Sequence, residues 1–150
     1  MKLAEALNLR ADIAKRISQL SVRLQNNALV QEGEEPAENP NELLAELNGL
    51  IAQQEELIGR INLTNAKTVS ESKTLTEMIA HKDCLRTKID VIREFLNAAS
   101  QTVRRGLRTE IKIYSTVQVS VLRKQVDGLE KEFRETDVKI QALNWNTELI

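Results

Sequence analysis

The chain predicts an all-α fold: an antiparallel bundle of four long helices with coiled-coil-like seams, and a short extended segment before the last helix. Three observations carry this. Four stretches of about thirty residues place apolar side chains at alternating steps of three and four, the spacing that gathers one stripe along a helix. The only two prolines, Pro36 and Pro40, fall between the first two stretches, where they stop a helix from continuing. Aromatic residues make up 3% of the chain, so the core must be aliphatic, which suits close-packed helices.

The first helix is expected over about 2–31, on a seam of Leu3, Ala6, Arg10, Ile13, Ile17, Leu20, Leu24 and Asn27. Gly33 is placed to cap it, and an acidic loop of Glu32, Glu34, Glu35 and Glu38 follows. A second helix is expected over about 40–67, because Asn39, Pro40 and Glu42 supply a capping residue, a first-turn proline and a capping-box acid. Its seam reads Leu44, Leu47, Ile51, Gln54, Ile58, Ile61 and Asn65. The companions Leu43, Leu50 and Leu57 broaden the apolar face beyond what one neighbour needs.

The period lapses over Lys67 to Lys73 and resumes after Thr74-Leu75-Thr76-Glu77, a second capping box. The third helix is expected over about 75–104 on Leu75, Met78, Lys82, Leu85, Ile89, Ile92 and Leu96. Between about 109 and 118, Ile111, Ile113 and Val117 alternate with polar residues, which predicts an extended piece that either crosses the bundle surface or pairs with a second copy or another partner. The last helix is expected over about 119–146, on Val119, Leu122, Val126, Leu129, Phe133, Thr136, Ile140 and Leu143. Gly128 lowers helix propensity there without ending the pattern. At 150 residues the whole chain is expected to form one domain.

Composition narrows function mainly by exclusion. The net charge is −1, with an acidic excess in the first sixty residues and a basic excess in the rest, too slight to predict DNA or RNA as a partner. Cys84 is the only cysteine, so no internal disulfide can form. The start of the chain lacks the apolar core of a secretory signal, and no run of eighteen apolar residues predicts a membrane span. A cytoplasmic location is expected.

No arrangement of reactive groups predicts catalysis. His81 and Cys84 lie three apart with Glu77 one turn earlier, too few ligands for a zinc site, so no metal or cofactor is expected. Gly33, Gly49, Gly59, Gly106 and Gly128 are scattered and form no phosphate-binding loop. Two polar groupings are the candidate sites. Arg10, Asn62, Asn65, Asn144 and Trp145 fall at one end of an up-down bundle and could line a ligand pocket. Arg104, Arg105 and Arg108 fall at the other, opposite the acidic loop, and could hold an anion. Arg10 and Lys82, cations on the seams, are the groups a small-anion-binding bundle or enzyme would use.

The order of several landmarks is similar to that of a known group. Met1-Lys2-Leu3-Ala4-Glu5-Ala6-Leu7, Asn27-Ala28-Leu29-Val30-Gln31-Glu32-Gly33-Glu34-Glu35-Pro36, Ile61-Asn62-Leu63-Thr64-Asn65, Glu110-Ile111-Lys112 and Asn144-Trp145-Asn146-Thr147-Glu148-Leu149 together resemble a family of small bacterial proteins often labelled septicolysin. The resemblance covers essentially the whole chain. It implies an all-helical bacterial protein and, from the label, a pore-forming cytolysin that would meet a membrane only after rearrangement. Composition and seams alone point instead to a non-enzymatic assembly or interaction protein forming a homo-oligomer.

Overall fold

The computed structural model describes residues 1–102 and 111–150. Four helices dominate: α1 (Leu3–Asn26), α2 (Pro40–Lys67), α3 (Leu75–Ser100) and α4 (Val119–Asn146), with two short strands, β1 (Val69–Ser70) and β2 (Lys73–Thr74), before α3. The second and fourth helices have the bounds the sequence predicts. The third helix stops at Ser100, short of its expected end: Gln101 and Thr102 are not helical, while Val103 and Arg104 lie outside the described residues, as do Thr109 and Glu110 of the extended segment.

The first helix stops earlier than its pattern. Asn27 turns its side-chain amide onto the Arg23 carbonyl at 2.8 Å and accepts the Glu38 N–H at 2.9 Å. This ties the chain leaving α1 to the chain entering α2. Gly33 is therefore not the cap: it sits at φ +84 inside the loop, beside a turn in which Glu34 N–H bonds the Gln31 carbonyl at 3.0 Å. The positive φ is the reason a glycine stands there. At the start of α2, Asn39 accepts the Asn41 N–H at 3.0 Å, and Pro40 occupies the first turn, as expected.

The strands were not foreseen. They pair antiparallel, Val69 with Thr74 and Ser70 with Lys73, across Glu71 (φ 51) and Ser72 (φ 71), the left-handed pair that a two-residue hairpin turn demands. Over 111–118 the described residues form no strand within the chain. A strand exists only by pairing its backbone, and this segment bends instead, with the Ser115 hydroxyl donating to the Val117 carbonyl at 3.0 Å.

The contacts divide into two compact units, Met1–Thr74 with Ala142–Ile150, and Leu75–Gln141. In the first, α1 and α2 pack along one another. The buried residues of α1 are Leu3, Ala4, Ala6, Ile13 and Leu20, and those of α2 are Leu43, Leu50, Leu57, Ile61 and Thr64. The α2 seam therefore runs one residue ahead of the predicted one: Leu43, Leu50 and Leu57 face the core, and Leu44, Ile51 and Ile58 stay exposed at 46%, 45% and 36%. In the second unit Leu75, Met78, Leu85 and Ile89 of α3 and Val126 and Ile140 of α4 are buried, all on the predicted seams.

Candidate functional site

Three polar arrangements stand out among the described residues. The first joins the ends of the chain. Lys2 and Glu148 face each other as a β-bridge, flanked by hydrogen bonds from Leu3 N–H to the Thr147 carbonyl and from Leu149 N–H to the Met1 carbonyl, each 2.9 Å. Glu148 also accepts from the Met1 ammonium at 3.1 Å and the Lys2 ammonium at 2.7 Å. These bonds, the Lys2 contact foremost, hold its carboxyl below the ordinary value of 4.5.

The tail then reaches α2. The Thr64 hydroxyl donates to the Arg60 carbonyl at 2.8 Å and accepts the Ile150 N–H at 3.0 Å, while Arg60 Nε donates to the Ile150 carbonyl at 2.8 Å. Thr64 is fully buried, and such a group is tolerated only with its hydrogen bonds made. Sequence reasoning passed over Lys2, Arg60, Thr64 and Glu148. The available signal was a threonine at the heptad step after Leu43, Leu50 and Leu57.

The residues nominated for a pocket at this end are placed diversely. Asn144 is buried, Asn65 half-buried, and Asn62 and Trp145 are exposed. Arg10 is exposed on α1 rather than covered in the seam, because a guanidinium leaves water only for a partner of opposite charge.

The second arrangement secures the loop between α1 and α2. Arg23 donates to Glu38 from Nε at 3.1 Å and from Nη2 at 2.6 Å, a two-point contact of the kind guanidinium and carboxylate make best. It lies 3.6 Å from Glu46 as well, and Arg16 lies 3.9 Å from the same carboxylate. The hydrogen bond from Arg23 holds the Glu38 carboxyl below the ordinary 4.5. The loop's anchor is thus an arginine of α1. The alternative nominated from sequence, Arg104, Arg105 and Arg108, lies outside the described residues.

The third arrangement lies between α3 and α4. Lys82 meets Asp137 at 3.0 Å and His81 meets Glu132 at 2.9 Å. Arg93 pairs with Glu130, and Arg86 stacks over the Phe133 ring at 4.1 Å. Lys82, the other seam cation, is thereby matched with a carboxylate. No group of three His, Cys, Asp or Glu side chains among the described residues could hold a metal ion. The pairs join side chains across helices, and none places a nucleophile beside a base.

The comparisons agree on kinship and leave activity open. No curated protein matches the chain. The crystal structure of a functionally unknown conserved protein from Corynebacterium diphtheriae is 41% identical, with a TM-score of 0.93 over 100% of this chain and 99% of the other. A family described as one of unknown function, DUF6847, matches residues 10–149, and the chain belongs to that family.

Proposed function

We propose that the protein is a non-enzymatic assembly module. Its helix pairs are antiparallel, coiled-coil-like elements of a helical bundle, and copies associate through the apolar faces those pairs leave uncovered. The observation that carries this is the stripe Leu44, Ile51, Ile58 along α2, three large aliphatics at heptad spacing, exposed beside a fully formed core seam. Repetition at seven residues is what a packed helix face requires, and an isolated helix pair has no use for it. In the other unit, Ile111, Ile113 and Tyr114 are also exposed and offer apolar side chains of their own for association. This reading sets the protein to work in the cytoplasm.

Light scattering from purified protein across the micromolar range tests it: mass rises with concentration if copies assemble. A strict monomer throughout overturns the reading.

The septicolysin resemblance supplies a second reading, in which the same exposed aliphatics meet lipid. No helix among the described residues is long and apolar enough to cross a membrane, so a pore would need several copies lining it with amphipathic faces. Dye release from liposomes supports this reading, and intact liposomes at saturating protein retire it.

A further inference from the structure

We infer that the partner covering the exposed face of α2 is α2 of a second copy, running antiparallel about a two-fold axis between Ile51 and Ala52. This inference rests on the assembly reading and specifies its contact.

A two-fold contact places one patch against itself, so the patch must be complementary to its own reversed image. The exposed side of α2 meets that condition. Steps of three and four bring Leu44, Ala45, Asn48, Ile51, Ala52, Glu55, Ile58 and Gly59 onto one side, each large aliphatic followed at once by Ala, Ala or Gly. Reversal about the chosen axis sets Leu44 against the partner's Gly59, Ile58 against the partner's Ala45, and Ile51 against the partner's Ala52. Every bulky side chain then meets a small one, so the two helices can approach closely.

The same register sets Asn48 against the partner's Glu55, an amide donor facing a carboxylate, and does so twice by symmetry. Glu55 is the single charged residue among those eight, and the register supplies it with a donor. Shifting by one heptad would set Glu55 against the partner's Glu55, a like-charge contact, or in the other direction against the partner's Asn41, and either shift breaks the reciprocal Asn48–Glu55 pair.

Gly59 fits this contact, although Gly49 and Gly128 have equally open surroundings. A methyl group added at Gly59 would meet nothing within 4 Å in the subunit, and its φ is not in the left-handed range. Neither packing nor backbone conformation within the chain explains a glycine inside α2, where it lowers helix propensity. In the inferred dimer, a glycine there makes room for Leu44 of the second copy.

A contact from Asn41 to Asn62 is about 32 Å long at 1.5 Å per residue and takes roughly 1,000 Å² in total, the lower edge of specific interfaces. The expected complex is therefore a reversible dimer.

The test uses full-length protein carrying Cys84→Ala, with sedimentation equilibrium over micromolar concentrations and a short bifunctional maleimide. The average mass is expected to climb from 17.0 kDa towards twice that value. Ile51→Glu and Gly59→Arg should each weaken association by about tenfold or more. Gly59→Arg should at the same time raise the helix content or melting temperature of the monomer, which separates lost contact from lost fold. Ala52→Cys should cross-link between copies, whereas Gln53→Cys, exposed and turned away from this side of α2, should not. If the parent protein associates and both substitutions leave its association unchanged, the α2 pairing is overturned and the assembly reading stands. If the parent is monomeric throughout, both fall.

Discussion

At the residue scale, Thr64 shows how one hydroxyl organises a terminus. It sits where the α2 seam calls for an aliphatic, donates back to its own helix and accepts the Ile150 N–H. Thr64→Val keeps the shape and removes both bonds, so it should cost about 1–3 kcal/mol in urea unfolding through the stranded Ile150 N–H. Glu38 and Glu148 make a second residue-scale prediction. Both carboxyls are held below 4.5 when folded, by Arg23 and by Lys2 with the Met1 ammonium respectively. A depressed folded pKa contributes stability that is present above the unfolded value and lost as pH falls through the folded one. The melting temperature should therefore fall on acidification below about pH 4.5, and Glu38→Gln and Glu148→Gln should each flatten that fall.

At the element scale, the structure assigns two neighbouring residues of α2 opposite fates. Leu50→Ala should cost about 2–4 kcal/mol, as for a buried leucine, and Ile51→Ala less than about 1 kcal/mol in dilute protein, measured by chemical denaturation. Equal costs would mean that the seam does not run through Leu43, Leu50 and Leu57. This pair also marks the reach of sequence reading. Helix limits were legible in α2, where proline, capping residues and the 3-4 period agree, and in α4, where the unbroken period marks them without a proline. The α2 register was not, since two parallel aliphatic rows one residue apart satisfy the same period, and only the neighbour decides which is covered. The β1–β2 hairpin was hidden for another reason: Glu71-Ser72 supplies the left-handed turn without the Asn-Gly or Asp-Gly that normally signals it. The clasp of the termini depends on pairing between residues 1–3 and 147–149, a relation no local pattern encodes.

At the scale of the whole molecule, one unit is assembled from both ends of the sequence while the other is drawn from the middle. The tail is therefore structural: Leu149 is buried, worth about 2 kcal/mol on transfer from water, and its backbone bonds add about 1 kcal/mol each. Deleting Thr147–Ile150 should lower the melting temperature sharply in calorimetry, and a deletion without effect would show the clasp to be ornamental. Association adds a further expectation, since anything that binds only the folded chain stabilises it by mass action: the melting temperature should climb with protein concentration.

The pairing of the first and last residues has one more consequence. A chain whose ends lie side by side is, in topology, a ring with a nick, and the position of the nick is a matter of convenience. A short glycine-serine linker from Ile150 to Met1, with a new start in the exposed loop at Gly33, would keep the Lys2–Glu148 bridge while giving up the Met1 ammonium. By the same reasoning, a tag fused ahead of Met1 replaces that ammonium with an amide and removes one of the two cations on Glu148. The loop around Gly33 is the gentler place for a label.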